Sequence, residues 1–477
     1  MASNRPIKDS PIPPASERIP TLILPLVGDK AKRTLDVLER FVEDECIPSD
    51  PVFDSLLGRN TIERFSAHPK IIEDLKSKAK SLGLWNLFAP KGHFHDAHGK
   101  DISAGYSNIE YGLMAEILGK SAIAPEVTNC AAPDTGNMEV LAKYGTAEQQ
   151  ARWLKPLLDG KIRSAFLMTE PDVASSDATN IGLQMTRDGD YWVLNGAKWW
   201  SSGAGDPRCE VYLVVGKTDP HNPDPYRQQS LILVPADTPG MTVDRMLSVF
   251  GYDDAPHGHG HITFENVRVH ASNMVLGPGR GFEIMQGRLG PGRIHHAMRS
   301  VGAAERALEY LIARAADPRK KPFGTLLRDH GVISERIAKS RLNIDAARLI
   351  VCSAAVKIDQ MNAKEALKEI AEAKVFVPKV LGEVVDWAIQ AYGGAGVSQD
   401  TPLASMWAGG RTMRLVDGPD EIHLLQLGRA ENKKGNAALA KIKSQKSKTE
   451  QLAAAYGVSD KLEKLALNRV RGSSAKL

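Results

Sequence analysis

Near the C-terminal end, a glycine cluster and a carboxylate have a spacing that suits cofactor chemistry. Gly393 and Gly394 follow an apolar segment, and Asp417 comes 23 residues after Gly394. Glycines have no Cβ atom, so they let the backbone come within hydrogen-bonding distance of a phosphate group. The run Gly418-Pro419-Asp420-Glu421 is typical of a turn and of the first turn of a helix. A phosphate-binding turn and a positioned carboxylate indicate an enzyme with a cofactor and a general base.

Two earlier segments complete the pattern. The first is Phe166-Leu167-Met168-Thr169-Glu170-Pro171, and the second is Trp199-Trp200-Ser201-Ser202-Gly203. In this order, and over residues from about 35 to 432, these segments resemble the sequence signature of the acyl-CoA dehydrogenases. The resemblance implies FAD as the cofactor and an acyl-CoA thioester as the substrate.

The resemblance also implies an α+β fold with an N-terminal helical domain, a central β-barrel domain and a C-terminal four-helix-bundle domain. Helical periodicity before residue 160 and after residue 281, with strand patterns between them, agrees with this order. Asn195-Gly196 predicts a hairpin turn within 191–200, and further strands are expected at 210–215, 230–235 and 261–269. The expected divisions are a flexible N-terminal arm at 1–30, an N-terminal α-helical domain at 31–162, a central β domain at 163–275, a C-terminal α-helical domain at 276–432 and a basic tail at 433–477.

By the resemblance, Asp417 takes the position of the catalytic base. Most of the family has glutamate there, and the shorter aspartate is similar to the branch that includes members ten and eleven, as is the segment 250–259. Some relatives carry the base directly before an arginine on another helix, but here Gly292 precedes Arg293. The alternatives are that Asp417 only caps a helix, or that Asp420 or Glu421 is the base.

The same resemblance implies the cofactor-binding residues. Those expected along the flavin ring are Phe166, Met168, Thr169, Trp200 and Ser202. Either Ser175 or Ser176 matches a single family serine, because the loop has one extra residue. After the base, Pro419 and Glu421 replace a threonine and a glutamine that touch flavin in relatives, and Arg293 matches an arginine that contacts CoA.

Diphosphate and adenine contacts are expected from a neighbouring subunit, so the resemblance implies a homodimer or homotetramer. The residues concerned are Arg319, Lys320, Phe323, Gln390, Gly393 and Gly394. Lysine stands at 320 where arginine is usual, and lysine cannot form a bidentate fork with phosphate. Which of Arg319 and Lys320 contacts the diphosphate therefore stays open.

Charge and composition limit the kinds of partner that the protein is expected to bind. The segment 431–477 has eleven Lys or Arg against four Asp or Glu, whereas the rest of the chain is slightly acidic. A nucleic-acid partner is therefore not expected for the body of the protein.

No apolar run is long enough to span a membrane, and the four scattered cysteines are expected to be reduced. His257, His259 and His261 alternate, but they indicate loop contacts near an acyl pocket and no metal site.

The predicted reaction is the α,β-dehydrogenation of an acyl-CoA to a trans-2-enoyl-CoA, with an aspartate base and hydride transfer to flavin N5. The electron acceptor is expected to be a flavoprotein. One alternative is an oxidase that passes electrons to O2, and another is a related flavoprotein that binds DNA through its basic tail. The C-terminal Ala475-Lys476-Leu477 resembles a peroxisomal address and predicts an import receptor as a partner. The alternative locations are the cytoplasm and the mitochondrion.

Overall fold

Helices form the first and last parts of the described residues, and one sheet forms the middle part. The computed structural model describes residues 12–95 and 99–462. The described helices are α1 Asp29–Phe41, α2 Ile47–Leu56, α3 Thr61–Ser66, α4 Lys70–Ser81, α5 Asn108–Leu118, α6 Ala124–Val127, α7 Asp134–Tyr144, α8 Ala147–Gln149, α9 Lys155–Leu158, α10 Gly281–Ala316, α11 Gly331–Gln360, α12 Leu367–Tyr392, α13 Gly394–Val397, α14 Leu403–Thr412, α15 Asp420–Asn432 and α16 Gly435–Ala455. The strands are β1 Arg163–Leu167, β2 Gln184–Asp188, β3 Tyr191–Ser202, β4 Cys209–Lys217, β5 Gln229–Pro235, β6 Met241–Leu247 and β7 His259–His270.

The seven strands form one curled sheet in the order β1-β4-β2-β3-β7-β6, with β5 beside β4. Strand β1 runs parallel to β4, whereas β3 pairs with β2 and β7 in antiparallel fashion. The predicted strands at 210–215, 230–235 and 261–269 all lie within described strands. The α+β class and the helix–sheet–helix order are confirmed.

The hairpin predicted at Asn195-Gly196 is wrong. Both residues lie inside β3, where the register against β7 shifts between Leu194 and Gly196, so the glycine is in a bulge. A Cβ at Gly196 would lie 3.1 Å from the Leu183 Cα, which is a second reason for glycine there. The hairpin turn is instead the two-residue loop Gly189-Asp190 between β2 and β3.

The N-terminal residues that the structure describes are packed, although the sequence predicts a flexible arm. Ile19, Ile23 and Val27 are buried against the helical core. The Ser16 backbone N–H and hydroxyl both donate to the Asp36 carboxylate at 2.8 Å, which fixes the segment on α1. Burial of these apolar side chains stabilises the arrangement, because it removes their surface from water.

The C-terminal helical part is built around α10, which packs against α11, α12 and α5. Two glycines let α5 and α10 cross closely: a Cβ at Gly302 would lie 1.8 Å from the Glu116 carbonyl oxygen, and one at Gly119 would lie 2.1 Å from that of Arg299. This close approach fixes the position of α10 and therefore the position of the polar residues that it carries.

The chain divides into the units Met1–Ile422 and His423–Leu477. In the second unit, the side chains of α16 are exposed except for Ala453. The tripeptide Ala475-Lys476-Leu477 lies outside the described residues. Among the helices that the structure describes, none is both long and apolar enough to cross a membrane.

We expect Gly302→Ala to lower the free energy of unfolding by about 3 kcal/mol or more, because the new methyl group cannot fit against the backbone of α5. Gly382→Ala is the matched control. It lies in α12, and its Cβ would have no heavy atom within 4 Å. This substitution should raise the free energy of unfolding slightly, by no more than about 1 kcal/mol. Urea unfolding of both variants gives the comparison, and equal midpoints would contradict the role of the crossing.

Candidate active site

Asp417 lies in the turn between α14 and α15, as the sequence predicts for a residue at a helix entrance. Its φ is 56°, and that of Gly418 is 102°. A left-handed conformation is uncommon for aspartate, and its surroundings must hold it there.

Two cations hold this turn through its backbone. The buried Lys374 donates from Nζ to the carbonyl oxygens of Met413 at 2.8 Å and Val416 at 2.7 Å. Arg293 donates from Nε to the carbonyl oxygen of Asp417 at 3.1 Å. Arg293, which the resemblance assigns to CoA, therefore has a contact with the backbone of Asp417 that the sequence did not predict.

The carboxylate of Asp417 is partly buried among basic groups. Burial alone would raise its pKa, but His296, Arg288, Lys374 and Arg293 together outweigh burial and lower the pKa below its ordinary value. Asp417 is therefore ionised at neutral pH. Burial of Lys374 lowers its own pKa to about 8, although the nearby carboxylate of Asp417 opposes this shift.

His296 lies beside the carboxylate as a neutral imidazole. Burial, with Arg299 as the next cause, lowers the pKa of His296 to about 3. Arg299 lies 3.2 Å from its Nδ1, and because a guanidinium can only donate, Nδ1 must accept. The hydrogen of the neutral ring is therefore on Nε2, which lies 3.8 Å from Asp417 Oδ2.

Arg288 connects Asp417 to the sheet. Its guanidinium lies over the Phe166 ring at 3.9 Å, and its Nε donates to Asn137 Oδ1 at 3.3 Å. It also interacts electrostatically with Asp417 and with Glu139. Burial raises the pKa of Glu139 to about 7, although Arg288 and Lys143 oppose the rise.

The ends of β1 and β3 bring together the residues predicted for the flavin. Lys198 is fully buried and donates from Nζ to the Met168 carbonyl at 2.9 Å and to Glu170 Oε1 at 2.7 Å. The Trp199 N–H donates to the Thr169 carbonyl at 3.0 Å. The side chains of Phe166, Met168 and Thr169 stay partly accessible on this edge.

Trp200 and Ser202 lie further along β3. Trp200 has a φ of 50° and is 38% exposed, and its ring lies 5.6 Å from that of His259. The Ser202 hydroxyl lies 2.8 Å from Nδ1 of His259. Of the three alternating histidines, His259 and His261 lie in β7, whereas His257 precedes the strand.

The two candidate serines differ in their surroundings. Ser175 Oγ accepts a hydrogen bond from the Glu170 N–H at 3.1 Å and is partly buried, so it closes the loop after β1. Ser176 is exposed.

The residues predicted for the diphosphate lie at the opposite end of α10. Arg314 donates to the carbonyls of Ala391 at 3.3 Å and Tyr392 at 3.2 Å, which joins this end of α10 to the glycine turn after Gln390. Gly393 has a φ of 64°, and neither Gly393 nor Gly394 would bring a Cβ within 4 Å of another heavy atom. From Arg288 to this end, α10 extends about 40 Å at 1.5 Å per residue. One chain therefore does not bring both predicted groups to one place.

Arg319 folds back on Asp317, with hydrogen bonds from Nε at 3.0 Å and from a terminal nitrogen at 2.9 Å. Lys320 is partly exposed. Phe323 is fully exposed on a turn, with a φ of 55°.

The residues that follow Asp417 differ in their exposure. Pro419 is partly buried, and Glu421 is exposed. Asp420, the other alternative base, is buried, and its Oδ2 accepts from Arg414 at 2.9 Å and lies 3.8 Å from Lys379 Nζ. Asp420 is thus committed to an ion pair, which leaves Asp417 as the better candidate for the base.

Sequence reasoning missed Arg288, His296 and Lys374, which surround the carboxylate. Arg288, His296 and Arg299 fall within one side of an α-helix at 100° per residue, and this could have signalled a polar face directed at a site. Among the residues that the structure describes, no cluster of three or more His, Cys, Asp or Glu could hold a metal ion.

Three family models match consecutive parts of the chain. They are the N-terminal domain of the acyl-CoA dehydrogenases at residues 29–161, the middle domain at 165–267 and the C-terminal domain at 279–431. The chain belongs to the acyl-CoA dehydrogenase family.

Within that family, the chain is similar to acyl-CoA dehydrogenase family member 11 of Gallus gallus, with 52% identity over 84% of this chain and 50% of the relative. It is also similar to probable acyl-CoA dehydrogenase FadE2 of Mycobacterium tuberculosis, with 53% identity over 76% and 86% of the two chains. The butyryl-CoA dehydrogenase structure from Megasphaera elsdenii matches with a TM-score of 0.69 and 25% identity, over 85% of this chain and 98% of that one. The chain spans about half the length of the first of these relatives.

We expect Lys374→Met to lower the free energy of unfolding by about 3 kcal/mol, because two carbonyls lose a charged donor. The turn before Asp417 should also loosen, so trypsin should cut after Arg414 faster than in the wild type. Lys368→Met removes an exposed lysine of the same helix, whose ion pair with Glu372 lies within α12, and is the control. Equal proteolysis of the two variants would show that Lys374 does not hold the turn.

Glu139 should give stability a distinct pH dependence. Its folded pKa is about 7 and its ordinary value is 4.5, so the folded state binds the extra proton between these values. Its contribution therefore becomes less favourable as pH rises from about 4.5 to 7, by at most about 3 kcal/mol. Glu139→Gln should abolish this component, which chemical unfolding of both proteins at pH 5 and pH 8 would detect. An unchanged stability difference between the two pH values would contradict the raised pKa.

Proposed function

We propose that the protein binds FAD and dehydrogenates an acyl-CoA thioester between Cα and Cβ to give a trans-2-enoyl-CoA. The observation that carries this proposal is the ionised, partly buried carboxylate of Asp417, which Arg288 connects to Phe166 at the edge of the sheet. A base and an acceptor site on neighbouring elements are what the removal of a proton and a hydride from adjacent carbons requires.

The residues at the ends of β1 and β3 fit a flavin. The ring would lie against Trp200, with Met168, Thr169 and Ser202 at its N5 edge and Phe166 beside it. Two buried polar atoms in this part of β3, Trp199 Nε1 and Ser201 Oγ, have no hydrogen-bond partner among the described residues. Such atoms are expected where a further polar group completes a site. When bound, FAD supplies an acceptor for the hydride from Cβ.

In the proposed reaction, Asp417 takes the α-proton on its carboxylate. Arg288, Arg293 and Lys374 keep the carboxylate ionised before the reaction and hold it in one orientation. Because His296 is neutral, its Nε2–H can contact the carboxylate without adding a further charge. Aspartate is one methylene shorter than glutamate, so the substrate must lie close to this turn.

The second group of residues supports a shared cofactor site. Since Arg319, Lys320, Phe323, Gln390, Gly393 and Gly394 lie about 40 Å along α10 from Arg288, we propose that they contact the diphosphate and adenine of FAD bound by another subunit. The exposed Phe323 and the open glycine turn agree with a covering partner. Lys320 is the better phosphate contact, because Arg319 is paired with Asp317. Ser176, being exposed, is the better match for the family serine.

Asp417→Asn should slow flavin bleaching by an acyl-CoA at least about 100-fold, which is the low end of what a general base contributes. The FAD-loaded proteins are mixed anaerobically with acyl-CoAs of increasing chain length, and the flavin absorbance is followed. Asp400→Asn is the control, since Asp400 is an exposed carboxylate between α13 and α14.

Two outcomes would contradict the proposal. Bleaching of Asp417→Asn at the wild-type rate would remove Asp417 as the base, and a flavin-loaded wild type that no acyl-CoA bleaches would remove the reaction. The same samples also distinguish the electron acceptor. Fast recovery of the oxidised flavin in air would favour an oxidase, whereas recovery only with an electron-transferring flavoprotein would favour a dehydrogenase.

A further inference from the structure

Ser202, His259 and Asp254 form a hydrogen-bonded chain from the sheet to the protein surface. The Ser202 hydroxyl lies 2.8 Å from His259 Nδ1, and His259 Nε2 lies 2.9 Å from Asp254 Oδ2. The side chain of His259 is 15% exposed, whereas that of Asp254 is 56% exposed. The chain therefore begins beside the proposed flavin edge and ends in solvent.

The chemistry of these groups fixes the direction of the hydrogen bonds. A carboxylate can only accept, so the hydrogen between His259 and Asp254 belongs to Nε2 of the ring. In a neutral imidazole that has its hydrogen on Nε2, Nδ1 is an acceptor. The Ser202 hydroxyl must then donate to Nδ1, and only the lone pairs of its oxygen remain for another partner.

The segment before β7 is anchored so that His259 keeps this position. Arg64 in α3 forms two hydrogen bonds of 2.8 Å to the carboxylate of Asp253, the residue before Asp254. Phe65 packs against Gly258, where a Cβ would lie 2.4 Å from the ring. On the other side, the His259 ring lies 5.6 Å from the ring of Trp200. The geometry of the histidine is therefore held from both sides.

We infer that His259 and Asp254 are positioning residues that hold the Ser202 hydroxyl as a hydrogen-bond acceptor towards flavin N5. The inference rests on the proposed function, because it needs a flavin at this edge. Oxidised flavin has an unprotonated N5 that accepts hydrogen bonds, whereas N5 of the reduced ring carries a hydrogen and donates. An oxygen that offers only lone pairs favours the reduced form and makes the flavin a stronger acceptor of the substrate hydride. Without His259, the hydroxyl can turn and donate to oxidised N5 instead.

The test is the midpoint potential of bound FAD, measured by reductive titration against a reference dye at pH 8, above the ordinary histidine pKa of about 6.5. His259→Phe keeps a ring against Trp200 but removes the acceptor for Ser202. Asp254→Ala removes an exposed carboxylate, so that the His259 ring can carry its hydrogen on either nitrogen. Each variant should shift the flavin equilibrium at least tenfold towards the oxidised form, a potential lower by about 30 mV for a two-electron couple.

A double-mutant cycle separates this role from a structural one. In a Ser202→Ala background, adding His259→Phe should change the potential no further, because the effect passes through the hydroxyl. His261→Phe is the matched control, since His261 lies two residues along β7 and next to Asp244. Its potential should equal that of the wild type.

A second measurement does not need the flavin. In protein labelled with ¹⁵N-histidine, His259 should show a protonated Nε2 and an unprotonated Nδ1, and Asp254→Ala should lose this pattern. The inference is overturned if His259 has the other tautomer, or if FAD-loaded His259→Phe or Asp254→Ala keeps the wild-type potential. If the wild type does not bind FAD, the proposed function itself fails, whereas unchanged potentials in variants that still react with acyl-CoA remove only the role of His259.

Discussion

The partial burial of one carboxylate among fixed cations is the constraint on which the candidate site depends. An isolated carboxylate away from water would be costly and would take up a proton. Here Arg288, Arg293 and Lys374 compensate for the lost hydration, and they come from two different helices, α10 and α12. The Asp417 carboxylate therefore keeps this environment only when both helices are packed correctly, so the fold of the C-terminal helical part and the charge of the site are coupled.

The same cations have a structural role that their charge alone does not explain. Lys374 and Arg293 bind backbone carbonyls of the turn, which keeps aspartate in a conformation that few non-glycine residues adopt. A shorter side chain than glutamate needs a turn with a defined position, since it has fewer bonds through which to adjust. The short aspartate side chain and the two cations that hold its turn therefore depend on each other.

Sequence reasoning could predict the family, the class of fold and the segments that form the site, because glycines, a Gly-Pro turn and aromatic pairs are local signals. It failed at Asn195-Gly196, where two neighbouring strands force a bulge in place of a turn. It also missed Arg288, His296 and Lys374, because their importance lies in where α10 and α12 cross near residue 417. Local patterns contain no information on such crossings beyond the polar face of α10, and the packing of the N-terminal segment was missed for the same reason.

The length of α10 has a consequence for any molecule that binds at its far end. A single uninterrupted helix carries Arg288 near one end and Arg314 at the other. Along such a rod, a shift of one end along the axis displaces the other by a similar amount, since every turn is tied to the next by hydrogen bonds. If a partner binds against the turn after Gln390, any axial shift that it causes in α10 also moves Arg288 beside Asp417. In that case α10 would couple the two ends mechanically.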